Sequence, residues 1–359
     1  MLMISIIIPV YNAENSIKRA FDSLLNQTIG FENLEVILID DNSTDDSPNI
    51  IKDYSNKYDN VKTIFLDKNS GSGGKPRNIG LMHATKDYVM FLDSDDEFFN
   101  DVCEVLYGEI TSEDIDIVGG GGLQTNDDNI SNFMLWKSIL TNPLEDDEIR
   151  MVEIKELLDE FPLKFDSIND FGAIIGDFMF TPKIYKRSFL EENSINFPEK
   201  IIAEGSVFLL NALLSAHGIK CVDKIVYRYY LENKDSSIIH SSFDNSKDIL
   251  KGLLDAFYKM YYISLDKNKS GIFKRYLLYR KLNYFINQRL LKSDLSVGDT
   301  LDLLIYASPL FKSCVDYNND IKLDLFHFIA NNDYENALRV IFGDDIKKID
   351  DINHGSSEC

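Results

Sequence analysis

Four short runs of β-branched and apolar residues within the first hundred positions constrain this chain most. Ile4 to Val10, Leu34 to Ile39, Val61 to Leu66 and Tyr88 to Leu92 are each of strand length and too short for a helix. Between them the spacing turns helical. Ile17, Phe21 and Leu24/Leu25 mark a helix over 13–26. Ser47-Pro48 supplies an N-cap followed by a proline at the first helical position, opening a helix to about residue 58, and 78–85 reads as a third. Strands that alternate with helices predict an α/β fold, a mostly parallel central sheet flanked by helices on both faces. Ligands of such sheets bind beyond the carboxyl ends of the strands. Three of the runs end in polar clusters: Tyr11-Asn12, Asp40-Asp41, and Asp93 with Asp95.

The pattern changes further along. Residues 124–160 are irregular and acidic, with Asn126-Asp127-Asp128-Asn129 as an exposed loop. Strand-then-helix character returns over 177–192, and Phe208 to Ser215 is helical. Beyond about residue 240 the chain reads as helix almost throughout, with Leu278, Leu282, Phe285, Ile286 and Leu290 on one face. The expected division is therefore an α/β domain over 1–240 and a helical domain over 241–359, with a polar tail from Asp344.

Charge and composition exclude several functions. The 359 residues hold 37 Lys and Arg against 59 Asp and Glu, a net charge of −22. Such a surface repels a phosphate backbone, so nucleic acid is not an expected partner, and an anionic substrate needs a local basic patch or a metal ion. Cys103, Cys221, Cys314 and Cys359 form no C-x-x-C pair, and the five histidines are isolated. That is neither a disulfide framework nor a zinc site, and it fits a reducing cytoplasm. No stretch of 18 apolar residues occurs and the first apolar run ends at Pro9, so the expectation is no signal peptide and no transmembrane segment, with peripheral membrane contact at most.

Three motifs carry candidate chemistry. In Asp93-Ser94-Asp95, two carboxylates one residue apart on an extended chain point the same way and can share a hard cation, Mg²⁺ or Mn²⁺; the alternative is a solvated acidic turn. Asp40-Asp41-Asn42-Ser43-Thr44-Asp45 places carboxylates where they can accept from a base N–H or a ribose hydroxyl, or it simply turns the chain toward the Ser47 cap. Asn69-Ser70-Gly71-Ser72-Gly73-Gly74-Lys75-Pro76-Arg77-Asn78 is a glycine loop feeding a helix, suited to phosphate through backbone N–H groups, Lys75 and Arg77, or else a plain mobile loop. Lys75 is followed by Pro76, so it is not a Walker A loop.

Taken in order, Ser5 to Asn12, Val36 to Asp45, Gly74 to Gly80 and Phe91-Leu92-Asp93-Ser94-Asp95-Asp96 resemble the family 2 inverting glycosyltransferases of GT-A fold. A weaker likeness resumes at residues 183–190 and at Tyr227-Arg228-Tyr229-Tyr230. The resemblance implies that Pro9 and Tyr11 flank a nucleobase, uracil by expectation, that Asp41 hydrogen-bonds it, and that Arg77 and Asn78 reach the base or diphosphate. It places Asp93 near the ribose and makes Asp95 the ligand of Mg²⁺ or Mn²⁺. Asn12, Glu14, Asp40, Lys75 and Ser94 complete the implied nucleotide-sugar site.

Inversion also needs a general base for the acceptor hydroxyl. The resembled family draws it from a Glu-Asp pair, and the matching stretch, Ala203-Glu204-Gly205-Ser206, has glycine in the aspartate's place. Glu204 acts as base, or Asp177 does, or transfer has been lost. The implied activity is sugar transfer from a nucleoside-diphosphate sugar to a glycan, polyol-phosphate or lipid-linked acceptor, with Lys75-Pro76-Arg77-Asn78 resembling the transferases that decorate teichoic acids and capsules. The rivals are a non-catalytic nucleotide-sugar-binding scaffold, and a nucleotidyltransferase, whose glycine- and lysine-rich signature Tyr11-Asn12-Ala13-Glu14-Asn15 does not supply. For the helical part, Lys274, Arg275, Arg280, Lys281, Arg289 and Lys292 either guide an anionic acceptor, face a membrane, or are a solvated face. Tyr258, Tyr261 and Tyr262 stack on sugars or pack in core; a homo-oligomer is open.

Overall fold

A strand buried on both faces needs side chains that tolerate no water on either side, and the opening run meets that condition. In the computed structural model, which describes residues 3–125, 180–230, 245–267, 278–316 and 324–343, β1 (Ile4–Val10) and β2 (Leu34–Asp40) are buried along almost their whole length. They pair in parallel from Ile4↔Leu34 to Val10↔Asp40. β3 (Val61–Phe65) continues the sheet outward from β2, and β4 (Tyr88–Phe91) lies on the other side of β1. Helices α1 (Ile17–Leu25), α2 (Ser47–Lys57) and α3 (Gly74–His83) join these strands. α3 begins earlier than the sequence pattern indicated, at Gly74. Pro76 is accommodated because its missing N–H falls in the first turn, where no intrahelical acceptor exists.

The second half of the sheet changes direction. β5 (Glu97–Phe98), α4 (Val102–Ser112), β6 (Ile117–Thr125), β7 (Lys183–Lys186), α5 (Arg187–Glu192), α6 (Glu204–Ser215) and β8 (Ile219–Tyr230) complete an eight-stranded order β3-β2-β1-β4-β7-β6-β8-β5. β7 runs antiparallel to β4 and β6, and β5 antiparallel to β8, whereas β6 and β8 are parallel. The sheet is thus mixed, with its parallel part at the strands that end in polar clusters.

Period-2 alternation divides the core in two. Ile4, Ile6, Ile8 and Val10 face one cluster with Phe21 of α1 and Leu106 of α4. Ile7, Ile37, Ile39 and Phe91 face the other, with Phe208 and Leu209 of α6. There Phe197 and Phe208 stack at 3.9 Å, and Phe91 meets both edge-on. Across the sheet's parallel half a buried Glu35 ties strands together: it accepts from Ser5 Oγ (2.6 Å), Lys62 Nζ (2.7 Å) and both the N–H and Oγ1 of Thr85 (2.8 and 2.9 Å).

The chain divides into two units, Met1–Ser237 and Ile238–Cys359. The second is helical among its described residues: α7 (Lys247–Asp266), α8 (Tyr279–Tyr284), α9 (Val297–Val315), α10 (Asp324–Ala330) and α11 (Tyr334–Phe342). α8 runs on through a π-helical turn at Phe285–Arg289, and Leu278, Leu282, Phe285, Ile286 and Leu290 are all buried. Tyr258 and Tyr262 lie on α7, with the Tyr258 hydroxyl donating to the Tyr306 carbonyl at 2.6 Å. Among the described residues no helix is long and apolar enough to cross a membrane. The expected loop at 126–129, Lys274, Arg275 and the tail from Asp344 lie outside the described residues.

Candidate active site

Strand order reverses at β1: the chain steps outward to β2 and β3, then returns to β4 on the opposite side. The carboxyl ends of β2, β1 and β4 therefore share one edge, the expected place for a ligand. Tyr11 follows β1 and is 42% exposed, which leaves a ring open for stacking, and Pro9 is partly buried within the strand. Asn12 and Asn42 take left-handed φ of 47° and 61°, which asparagine tolerates. The Asn12 carboxamide accepts the Thr44 N–H at 2.8 Å while its own N–H donates to Ser43 Oγ. The Glu14 carboxylate accepts the Asp46 N–H at 2.9 Å, and its N–H donates to Asp45. These reciprocal bonds lace the loop after β1 to the loop after β2, so Asn12 and Glu14 act on the walls of the site. Asp40 accepts the Ser43 N–H with one oxygen; its other oxygen is buried without a partner.

Asp41 is buried and holds the glycine loop. Its carboxylate accepts the Ser70 N–H at 2.9 and 3.1 Å and Ser70 Oγ at 2.7 Å, and its carbonyl accepts from Asn69 Nδ2. Three bonds leave room for a fourth at a carboxylate. Burial pushes the Asp41 carboxyl up, against the pull of Ser70 and the Lys75 ammonium.

Arg77, one turn into α3, is the hub. Nη2 donates to Asp93 Oδ1 at 2.7 Å and Nη1 to Glu204 Oε1 at 2.9 Å, and the guanidinium lies 4.6 Å from the Phe180 ring centroid and 5.4 Å from that of Phe197. Burial alone would lower its pKa; the two carboxylates outweigh it and hold the cation. The side chain is only 8% exposed, so Arg77 enters the site as the holder of two acids and not as an open hand for phosphate. Asn78 exchanges two 2.9 Å bonds with the backbone of Phe197, fixing the segment that leads to α6. Glu204 opens α6, after Ala203 at a left-handed φ of 58°. Its side chain keeps 15% exposure, and among the described residues none donates to Oε2. A side chain at Gly205 would begin 2.4 Å from the Phe180 ring, so glycine and ring occupy each other's space.

The acidic motif lies past the end of β4, which stops at Phe91, and it folds as a turn closed by the Asp96 N–H to the Asp93 carbonyl at 3.1 Å. Strand alternation therefore does not govern Asp93 and Asp95. Arg77 takes Asp93, and among the described residues no side chain donates to the Asp95 carboxylate. Burial pushes the Asp95 carboxyl up to about 6, with Asp93 adding to the effect and Arg19 and Arg77 only partly opposing it. Ser94 is half-buried between them. An under-compensated carboxylate at a ligand edge fits a divalent cation; among the described residues no group of three His, Cys, Asp or Glu side chains forms a metal site by itself. Mg²⁺ is commonly held in this way by one or two carboxylates, with phosphate oxygens and water completing its shell.

The structure thus brings Tyr11, Asp41, Lys75, Arg77, Asp93, Asp95 and Glu204 to one edge. Asp177 lies outside the described residues. Sequence reasoning missed Phe180 and Phe197, which wall in Arg77, and Arg19, whose Nη2 donates to the Asp95 carbonyl at 2.6 Å. No local motif marks them; only the fold brings them there.

Comparison with known proteins decides the family. The sequence model described as Glycosyl transferase family 2 matches residues 5–192, more than half of the chain. The chain belongs to that family. Among its relatives, the poly(ribitol-phosphate) beta-glucosyltransferase of Bacillus spizizenii is 35% identical over 235 residues, covering 65% of this chain and 33% of the relative. The minor teichoic acid biosynthesis protein GgaA of Bacillus subtilis is 30% identical over 348 residues, 92% of this chain and 72% of GgaA. The chain spans about a third of the length of the Bacillus spizizenii protein. The crystal structure of S. aureus TarS 1-349 in complex with UDP-GlcNAc superposes with a TM-score of 0.71 at 24% identity, over 95% of this chain and 90% of that one, and shows the GT-A fold.

Proposed function

We propose that this family 2 protein moves a hexosyl or N-acetylhexosaminyl group, with inversion, from a UDP-sugar to a polyol-phosphate, glycan or lipid-linked acceptor in the making of a teichoic-acid-like or other cell-surface polymer, at the cytoplasmic side of the membrane. The observation that carries this reading is the single rim formed by Tyr11, Asp41, Asp93, Asp95 and Glu204 at the carboxyl ends of β1, β2 and β4 and the start of α6. The relatives' names, one a poly(ribitol-phosphate) glucosyltransferase and one a minor teichoic acid biosynthesis protein, support the acceptor class.

The residues divide the work. Tyr11 offers a ring face to the uracil, and Asp41 offers its remaining acceptor position to the base. Asp93 lies beside the ribose. Asp95 is the carboxylate that would hold Mg²⁺ or Mn²⁺, whose charge offsets that developing on the departing diphosphate. Glu204 takes the proton of the acceptor hydroxyl on its free oxygen while Arg77 fixes the other. The hydroxyl oxygen forms the new bond to the anomeric carbon as the bond to UDP breaks, and UDP leaves with the electron pair. Asp177 is the alternative base.

A general base is worth about 10²- to 10⁴-fold, so Glu204→Gln is expected to slow transfer by that order and to leave UDP affinity unchanged. A variant that transfers at the wild-type rate would move the base to another residue. The second reading is a nucleotide-sugar-binding scaffold, favoured by Gly205 and the Phe180 ring that fills its side-chain space. Calorimetry with UDP and Mn²⁺ followed by a UDP-release assay across UDP-, GDP- and CDP-sugars separates the two: binding with no release from any donor supports the scaffold.

A further inference from the structure

The turn that carries Asp95 is underpinned by two groups for which the chemistry above has no use. Asp96 and Tyr227 are both fully buried. The Tyr227 hydroxyl donates to Asp96 Oδ2 at 2.5 Å and accepts the Asp93 N–H at 3.5 Å, so one oxygen bridges the first and last residues of the turn. Asp96 Oδ1 accepts the Tyr230 N–H at 3.0 Å. The Tyr230 ring in turn lies under the Arg19 guanidinium, 3.6 Å from its centroid, and Arg19 holds the Asp95 carbonyl. Antiparallel pairing of β5 with β8, Phe98 opposite Tyr227, delivers the tyrosine to this place. The turn that carries the Asp95 carboxylate is thus held at Asp93, Asp95 and Asp96.

Stability does not account for the arrangement. A third carboxyl fully buried beside Asp93 and Asp95 carries a desolvation cost, and an apolar pair of the same volume would fill the space without it. What the hydroxyl and carboxyl supply is direction. Apart from them, Arg19 and Arg77, the Asp93–Asp96 turn has among the described residues one backbone bond to hold its shape.

The geometry points to Tyr227 and Asp96 as positioning residues for Asp95, fixing the turn so that the Asp95 carboxylate meets a divalent cation in one orientation. This rests on the reading of Asp95 as the cation ligand. Tyr227→Phe removes the bridging oxygen and keeps the ring. Titration calorimetry of UDP with the full chain, over a Mn²⁺ series and without metal, is the test. Groups that orient a metal ligand typically contribute 10- to 100-fold in metal affinity. The variant is therefore expected to need roughly tenfold more Mn²⁺ for half-maximal stimulation of UDP binding, with metal-free UDP affinity unchanged. Combined with Asp95→Asn, Tyr227→Phe should cost nothing further. Should Tyr227→Phe fail to fold, Asp96→Asn, which keeps the volume and one acceptor oxygen, carries the same comparison. A wild-type response retained in full by the variant, an equal loss without metal, or additivity in the double variant overturns the inference alone. A wild-type protein that binds UDP identically with and without Mn²⁺ overturns the functional reading and this inference with it.

Discussion

At the scale of single residues, two carboxylates show how surroundings set opposite fates for the same group. Asp95 is pushed up to about 6 by burial, with Asp93 adding. Its folded-state pKa is raised, so the ionised form that binds a cation is present above about pH 6 and is lost as the pH falls through that value. Mn²⁺-stimulated UDP binding should therefore weaken between pH 7 and pH 5, well above the range of an ordinary aspartate, and a binding curve flat to pH 5 would contradict this. For Glu35, burial acts upward but Lys62, Ser5 and Thr85 outweigh it and hold the carboxyl down at about 2, from 4.5. Here the folded pKa is depressed, so the stabilisation is complete above about pH 4.5 and disappears as the pH drops toward 2. Glu35→Gln should cost about 2 kcal/mol at pH 7, the order of a hydrogen-bonded buried charge. It should also shrink the gap between urea midpoints at pH 7 and pH 3. Of these residues only the strand-end acids were legible in the sequence. Asp41, Asp93 and Asp95 stand where an apolar run stops, a signal that survives in one dimension, whereas Glu35 sits inside such a run and its partners are 27 to 50 positions away.

At the scale of elements, the same distinction separates the strands. β1, β2 and β4 could be read because strands covered on both faces are apolar almost throughout, and β3 because Val61-Lys62-Thr63-Ile64-Phe65 is rich in β-branched and aromatic residues. β6 could not: its centre is Gly119-Gly120-Gly121-Gly122, which carries no strand propensity. The reason is local crowding, since a Cβ at Gly120 would lie 2.7 Å from Val226 of the neighbouring β8. In the mixed half, β7 and α5 fall within the strand-then-helix stretch read at 177–192, whereas β6 was hidden by that glycine run and β5 by its length of two residues. α6 repeats the theme at the site. Gly205→Asp would place its first side-chain carbon within 2.4 Å of the Phe180 ring. It should destabilise the N-terminal unit by about 1–3 kcal/mol, the cost of overpacking a filled site. Adding Phe180→Ala should recover part of the loss in thermal denaturation; simple additivity would show that ring and glycine do not share the space.

At the scale of the molecule, charge is divided unevenly. Residues 1–237 hold 21 Lys and Arg against 42 Asp and Glu, whereas residues 238–359 hold 16 against 17. A polyanionic acceptor approaching the acidic unit is repelled at a range set by the Debye length, roughly 30 Å at 0.01 M salt and 8 Å at 0.15 M. Transfer to a polyol-phosphate polymer should accordingly gain in kcat/KM as salt rises over that interval, while transfer to an uncharged oligosaccharide acceptor should not change. An opposite trend would mean that a basic patch governs the encounter. The two ion pairs of Arg77 bear on how this molecule comes into being. Its partners stand 16 and 127 positions further along the chain. A ribosome releases the first long before the second, and contacts of wide sequence separation form late. The parallel strands can therefore assemble on a nascent chain while the cation still lacks half its counter-charge, and competence waits for the docking of the helix that begins at Glu204.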